Sequence, residues 1–198
     1  MTTLVVGASG ATGRLLVGQL LSRGEEVRVI VRSPDRLPAN LVDHPKVHVT
    51  AASVLQMSDQ QLQEQVEGCR AVASCLGHNL TFQGLFGQPR RLVTNATRRL
   101  CQAIAANQPT EPVKFVLMNT AGNSNRDLPE PISLPQKFVI WLLRHLLPPH
   151  ADNEQAADFL RTEIGRENEF IQWAAVRPDN LTNAEEVTAY ELHASPTR

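Results

Sequence analysis

The alternation of short apolar runs with longer amphipathic segments is the feature that most constrains how this chain can fold. Six runs are predicted to be strands buried on both faces of a sheet, because each is short and almost continuously apolar. They cover residues 3–6, 27–31, 47–50, 71–75, 114–118 and 171–176. Helix-like segments separate them, which is typical of βαβ units. The sequence therefore predicts an α/β fold with a doubly wound, mainly parallel sheet and helices on both faces.

The ends of the predicted helices follow from glycine and proline positions. The first helix is expected to stop at Gly24, since glycine favours the conformation that ends a helix. Pro89 suits the first turn of a later helix, where its missing amide is not needed. The predicted helices cover residues 12–22, 89–106, 137–147 and 153–166, with a loop over 119–136 and a break at Pro148 and Pro149.

Size and charge exclude several classes of protein. At 198 residues the chain is long enough for one well-packed α/β domain, so we expect a single domain over residues 1–198. The net charge of −1 gives no field that would recruit nucleic acid or an acidic membrane surface. The most apolar later stretch, 138–147, is far short of the ~20 residues that span a bilayer. Neither a nucleic-acid partner nor a membrane span is expected.

The cysteines and the start of the chain favour a cytoplasmic protein. Cys69, Cys75 and Cys101 form no CxxC pair and are odd in number, which argues against a disulfide framework and a zinc site. The histidines share no spacing that suits a metal, so no metal is expected. The first strand begins by Thr3, which leaves no room for a secretion signal.

A glycine-rich turn lies directly between the first strand and the first helix. A tight turn, a close approach of backbone to a diphosphate, and close packing of helix on strand each need a residue without Cβ, and three glycines meet these needs. Free amides at the helix N-terminus then receive phosphate oxygens. The turn predicts a dinucleotide site, with a bare structural turn as the alternative. Its residues are Gly7, Ala8, Ser9, Gly10, Ala11, Thr12 and Gly13.

The end of the second strand favours NADP(H) over NAD(H). NAD-selective sites carry an acidic residue there, which accepts hydrogen bonds from the ribose hydroxyls and would repel a 2′-phosphate. This chain has Arg32, followed by Ser33 and Arg36, and two guanidinium groups with a hydroxyl suit a dianionic phosphate. The alternative is that Arg32 only ends the strand in solvent.

With these residues, the chain resembles an atypical short-chain dehydrogenase/reductase of the NmrA-like, NAD(P)-binding group, and the resemblance covers nearly the whole chain. The resemblance implies a Rossmann-like fold. The segments that carry it are the Gly7–Gly13 turn, Val31-Arg32-Ser33-Pro34, Ser74-Cys75-Leu76-Gly77, Asn119-Thr120-Ala121-Gly122 and Val176-Arg177-Pro178-Asp179.

The resemblance also implies roles for residues in these segments. Cys75, Leu76 and Gly77 would line the adenosine and inner ribose. Asn119 and Thr120 would lie near the nicotinamide ribose, and Val176 to Pro178 would pass along the nicotinamide face. A redox role for Cys75 is a weaker alternative to packing, since small buried cysteines in strands are usually packing residues.

Two departures from the family bear on activity. The family's acid is a tyrosine followed four residues later by lysine, whereas Tyr190, the sole tyrosine, is followed by Glu191, Leu192, His193 and Ala194. Lys137 has no such tyrosine and is interpreted as a charge at a helix start. Only 17 residues follow Leu181, so either the polypeptide stops early or its substrate pocket is open.

Three functions are compatible with this pattern. The first is an NADPH-dependent reductase of a small planar acceptor such as a quinone or flavin, with Thr120 as the predicted catalytic residue supplying a supporting hydrogen bond. The second is a non-catalytic NADP(H)-binding module that senses redox state through a partner. A nucleotide-sugar isomerase or epimerase is the third, although it would need a substitute for the tyrosine.

Other polar residues have a plainer interpretation. His78 and Asn79 are expected on a solvated loop, with substrate contact as the alternative. Four acidic residues near the last helix suggest carboxylate chemistry or a metal, but a solvated helix face is favoured; they are Asp152, Glu154, Asp158 and Glu163.

The helix predicted at 137–147 is apolar around most of its circumference over residues 138–147. One-sided packing would leave aromatic surface exposed, so this segment is interpreted as a lid over the substrate or as an interface with a second copy or another protein. Packing in the core is the alternative.

Overall fold

The computed structural model describes residues 1–78, 87–128, 130, 133–178, 181, 187 and 189–194. Within the helix over 134–146, the side chains of residues 136–139, 143 and 145 are outside the description. The predictions for Asn79 and Asp179, and for the side chains of Lys137 and His145, therefore fall outside the described residues.

A six-stranded parallel sheet forms the centre of the described part of the chain, in the order β3-β2-β1-β4-β5-β6. The predicted doubly wound α/β fold is confirmed, and every strand lies within two residues of its predicted bounds. The strands are β1 Thr2–Val6, β2 Glu26–Val31, β3 Val47–Ala51, β4 Ala71–Ser74, β5 Val113–Met118 and β6 Ile171–Val176.

Helices lie on both faces of this sheet and divide the buried side chains into two cores. One core contains Leu62, Leu100 and Phe115, and the other contains Val5, Val17 and Val29. The helices are α1 Ala11–Ser22, α2 Ala39–Val42, α3 Asp59–Val66, α4 Leu92–Ala106, α5 Leu134–Leu146 and α6 Pro148–Phe159, with a 3-10 turn at Pro34–Arg36 and a π-helical turn at Leu160–Ile164.

Two helices begin at positions, relative to nearby prolines, that differ from the predicted ones. Helix α4 begins at Leu92, so Pro89 precedes its first turn and does not lie within it. Pro148 and Pro149 were expected to break the chain, yet they form the first turn of α6, where proline has a suitable backbone angle and no amide is required. The predicted break is therefore the start of the last helix, five residues before the expected position.

Helix α5 exposes large apolar side chains. The exposed fractions are 51% for Trp141, 39% for Leu142 and 57% for Leu146. The alternative that this helix packs in the core is therefore wrong for these three side chains. The lid over the substrate and the interface with another chain remain predictions. In the part of the chain that the structure describes, no helix is long and apolar enough to cross a membrane.

Candidate functional site

The glycine turn follows β1 at the centre of the sheet, where β2 and β3 lie on one side of β1 and β4 to β6 on the other. Gly7 has φ +78°, a conformation that side chains rarely tolerate, and its carbonyl accepts a 3.0 Å hydrogen bond from the Gly10 amide. A Cβ on Gly7 would lie 2.5 Å from the Cys75 carbonyl oxygen. The end of β4 therefore forms one wall of the turn.

Gly13 brings the first turn of α1 against the glycine turn. A Cβ there would overlap the Gly7 carbonyl and lie 2.9 Å from the Cα of Ala8. Gly10 and Ala11 are exposed, and α1 has no side-chain cap and no acidic residue in its first turn. An anion would satisfy the amides that helix starts leave unpaired. The turn thus fits a diphosphate by its backbone geometry as well as by its sequence.

The other predicted cofactor residues occur at the same edge of the sheet, because all the strands are parallel. Arg32 and Arg36 are exposed at the carboxyl end of β2, and Ser33 between them is half-buried. The buried Leu37 anchors this segment to the core beside α1. Two guanidinium groups are therefore presented to solvent next to the glycine turn.

The segment Cys75–Gly77 continues β4 beside the glycine turn, and the Cys75 amide donates to the Val6 carbonyl at 2.9 Å. Burial raises the pKa of the Cys75 thiol to about 11. The thiol is protonated near neutral pH, which argues against the redox alternative. All three cysteines have free thiols.

Asn119 organises the turn after β5. Its amide donates to the Val176 carbonyl at 2.8 Å, and its Nδ2 donates to the Asn153 carbonyl at 3.1 Å. Its Oδ1 accepts from the Thr120 amide and from Asn123 Nδ2. The Asn119 side chain is therefore occupied by protein contacts that join β5, β6 and α6, and it can position the site without touching a ligand.

Thr120 and the residues after β6 lie at the same edge as Asn119. The half-buried Thr120 hydroxyl accepts a 3.2 Å hydrogen bond from the Gly122 amide, which leaves its own proton for another acceptor. Val176 is 43% exposed and Pro178 is half-buried. Arg177 pairs with Glu130 at 2.8 Å and holds this segment in place.

Asp152 is a buried anchor that the sequence analysis did not identify. It was assigned to a solvated helix face, but it is 1% exposed. Its carboxylate accepts from the amides of Val93 and Thr94 at 2.8 and 3.0 Å, and so caps the N-terminus of α4 from another helix. The sequence feature that could have indicated this role is Arg91, the residue before α4. Arginine cannot cap a helix start with its side chain, so the cap must come from another segment.

His78 is also placed differently from the prediction of a solvated loop. Its Nε2 lies 2.9 Å from Asp152 Oδ2, and its side chain is 7% exposed. The loop after β4 is thus held to α4 and α6 through one carboxylate.

A second polar cluster lies on α6. Glu154 accepts two hydrogen bonds from Arg144, at 2.6 and 2.7 Å, and its side chain is only 12% exposed, contrary to the predicted solvated face. His150 Nε2 is buried, 3.9 Å from Glu154 Oε1. Burial lowers the pKa of His150; the Arg144 guanidinium lowers it further, and the Glu154 carboxylate opposes this. His150 is therefore neutral near pH 7.

Neither a tyrosine nor a metal centre is found at this edge in the described residues. Tyr190 is 74% exposed, close to the end of the chain. The residues that the structure describes include no group of three or more His, Cys, Asp or Glu side chains that could hold a metal ion.

The sequence profile of a family described as NAD(P)H-binding matches residues 7–197. This chain belongs to that family. The match begins at the first glycine of the turn and runs almost to the end of the chain. The NAD(P)-binding family expected from the sequence is thereby confirmed, at the level of NAD(P)H binding.

The chain is also similar to a chloroplastic protein of Arabidopsis thaliana that is itself uncharacterised. The two are 33% identical over 78 residues, which is 39% of this chain and 28% of that protein. The match therefore spans little more than a quarter of that relative.

Solved structures share the fold at low sequence identity. A short-chain dehydrogenase/reductase from Veillonella parvula is 19% identical with a TM-score of 0.68. The match covers 96% of this chain and 74% of the Veillonella chain. A proposed NADH-flavin reductase from Streptococcus pneumoniae is 21% identical with a TM-score of 0.58. The match covers 90% of this chain and 71% of the Streptococcus chain. An enzyme from Bordetella bronchiseptica, solved with NAD+, is 15% identical with a TM-score of 0.64. The match covers 95% of this chain and 58% of the Bordetella chain.

Proposed function

We propose that this protein is an NADPH-dependent reductase of a small planar acceptor such as a quinone or flavin. The observation that carries the proposal is the glycine turn at the start of α1, a helix without a side-chain cap, together with two exposed arginines at the neighbouring strand end. A bound nicotinamide supplies the hydride, and the chain supplies binding, orientation and shelter from water.

Arg32 and Arg36 support the preference for NADPH. Both guanidinium groups are exposed at the end of β2, where an adenosine ribose bound at the glycine turn is expected to lie. Guanidinium groups bind phosphate with several directed, charge-assisted hydrogen bonds. We therefore assign the 2′-phosphate to Arg32, Ser33 and Arg36.

Reversing the charge at Arg32 is expected to invert the cofactor preference. Arg32→Glu should weaken NADPH binding at least about tenfold, because charge-assisted bonds to the phosphate are replaced by repulsion, and leave NADH binding within a small factor. Titration of NADPH and NADH into each variant measures this. Arg23→Glu, an exposed position at the end of α1, is the matched control and should change neither affinity. Equal NADPH affinity in Arg32→Glu and Arg23→Glu would contradict the assignment.

The chemistry needs little acid catalysis if the acceptor is a quinone or flavin. The sole tyrosine is 74% exposed near the chain end, and no lysine follows it at the family spacing. Thr120 is the proposed donor of a supporting hydrogen bond, since its hydroxyl lies at the turn after β5 and retains a proton to donate. Asn119 positions this turn through its contacts with β6 and α6.

Removing the Thr120 hydroxyl is expected to slow turnover. The purified protein should oxidise NADPH above background with at least one member of a panel of quinones, flavins and aldehydes. Thr120→Val should then lower kcat about tenfold, the value of one lost hydrogen bond, with unchanged NADPH affinity. Thr162→Val, an exposed threonine on the π-helical turn, is the control. An unchanged kcat would remove Thr120 from the mechanism.

A non-catalytic redox sensor is the second candidate. The missing tyrosine and lysine pair favours it, and the exposed apolar side chains Trp141, Leu142 and Leu146 offer a surface for a partner. Tight NADPH binding with no NADPH consumption across the whole panel would favour the sensor over the reductase.

A further inference from the structure

A cleft of about 460 Å³ lies between α6, β6 and the loop after β5, separate from the residues assigned to the cofactor. Of the predicted cofactor segments, Val176–Pro178 alone contributes to its lining, through Arg177. Its volume falls in the range of small-molecule sites in proteins. The cleft is therefore large enough for a multi-ring organic molecule.

Arginine dominates the charge of this cleft. Its lining includes five arginines against two acidic side chains, Glu154 and Asp158. Those arginines are Arg126, Arg144, Arg161, Arg166 and Arg177. Even when the carboxylates of Asp127 and Glu130, which pair with lining arginines, are counted, one positive charge is in excess.

Three of these arginines form a charge chain that begins and ends on a cation. Arg126 pairs with Asp158 at 3.1 Å, and Arg161 pairs with the same carboxylate at 2.8 Å. Arg161 also pairs with Asp127 at 3.3 Å, which in turn accepts from Arg166 at 3.0 Å. Three cations thus share two anions, and an anionic ligand would supply the missing negative charge.

The two ends of this chain are available to a ligand. Within the described residues, Arg126 and Arg166 each make a single side-chain hydrogen bond, and their side chains are 49% and 66% exposed. Each guanidinium carries five N–H donors, so most of their donors remain available.

One part of the cleft wall is apolar. Trp173 on β6 is half-buried, and its indole N–H donates to the Gly165 carbonyl at 2.6 Å, which fixes the ring. Ala157 and Ala175 lie beside it in the lining. An aromatic ring system can pack on this wall while its anionic group reaches the arginines.

The cleft adjoins the edge where the nicotinamide is expected. Asn123 lines the cleft and hydrogen-bonds the Asn119 side chain. Arg177 also lines it, lies between Val176 and Pro178, and donates to the Asn123 carbonyl at 2.6 Å. The turn after β5 and the segment after β6 are therefore shared by the two sites.

We propose that this cleft binds the acceptor, and that the acceptor is a flat aromatic molecule carrying a phosphate or carboxylate held by Arg126 and Arg166. The assignment as acceptor rests on the proposed reductase function, whereas the preference for an anion rests on the cleft alone.

Two pairs of probes test the preference for an anion without NADPH. FMN and riboflavin differ by a phosphate, and 2-naphthoate and 2-naphthalenemethanol differ by a carboxylate. Equilibrium dialysis of the full chain at low ionic strength should give about tenfold tighter binding of the anion in at least one pair, and added salt should reduce the difference. The pair that shows the difference identifies phosphate or carboxylate as the recognised group.

Variants locate the binding. Arg126→Gln with Arg166→Gln should abolish the advantage of the anion and leave binding of the neutral probes unchanged. Arg23→Gln with Arg70→Gln, which removes two exposed arginines and one ion pair elsewhere, is the matched control and should keep the advantage. Arg32→Glu should also keep it, since that residue belongs to the proposed NADPH site.

Two results would overturn the proposal. One is equal affinity for the charged and neutral members of both pairs. The other is an advantage that survives in the double cleft variant and disappears in Arg32→Glu, which would place the anion at the glycine turn. Failure of the NADPH titration affects the proposed function only, because none of these binding measurements contains NADPH.

Discussion

Replacing Gly13 with alanine is expected to destabilise the chain by about 3 kcal/mol or more, the upper range for overpacking a close contact. A Cβ at this position would overlap the Gly7 carbonyl, which is backbone and cannot rotate away. Helix α1 cannot move outward without cost, because Val17 on its inner face is 1% exposed in the core. The free energy of unfolding from urea titration measures the effect.

Gly18→Ala provides a matched control in the same helix. A Cβ on Gly18 would meet nothing within 4 Å, so alanine should stabilise the protein by about 0.5–1 kcal/mol through its better helix propensity. The two substitutions add the same methyl group and should shift stability in opposite directions. A Gly13→Ala protein as stable as Gly18→Ala would show that α1 does not pack on the turn as described.

Replacing Asp152 with alanine is expected to cost about 3–5 kcal/mol, since three buried donors on two segments, α4 and the loop after β4, lose one shared acceptor. Those donors are the amides of Val93 and Thr94 and the ring of His78. In the Asp152→Ala protein, native-state hydrogen exchange should show a larger increase in exchange rate for the Val93 and Thr94 amides than for amides in the middle of α4. Denaturant titration gives the accompanying loss of stability.

Asp59→Ala is the control for this experiment. Asp59 also pairs with an arginine, Arg99, but its side chain is 88% exposed, so its loss should cost less than about 1 kcal/mol. Asp152→Asn should fall between the two, because one oxygen still accepts while the amide group presents donors to donors. An Asp152→Ala protein as stable as Asp59→Ala would contradict the buried role.

The strands and the glycine turn could be predicted because their signals are local. An apolar run between helical segments identifies a buried strand within a few residues, and Gly7–Gly13 is contiguous with the strand and helix that it joins. The parallel sheet then brings strand ends to one edge, which is why residues as distant as Arg32 and Asn119 could be assigned to one edge. Pro148 was misinterpreted because a proline pair can either break a chain or begin a helix.

Asp152 and the arginine cleft could not be predicted, because their partners are distant in sequence. Asp152 caps α4 through amides that lie 58 and 59 residues earlier in the chain, and the charge of an aspartate in a polar helix suggests exposure to solvent. The cleft draws its lining from residues between Asn123 and Ala194. No spacing rule joins such residues, since only the folded arrangement of α6, β6 and the loop after β5 brings them together.

The order in which this chain emerges during synthesis has a consequence for the glycine turn. Gly7 is made well before the surface that confines it, which consists of the Cys75 and Leu76 backbone. A nascent chain that ends before β4 would have the glycine motif complete in sequence but open on one side. Capture of a nucleotide must then wait for a contact between residues almost seventy positions apart, a delay that is characteristic of parallel sheets.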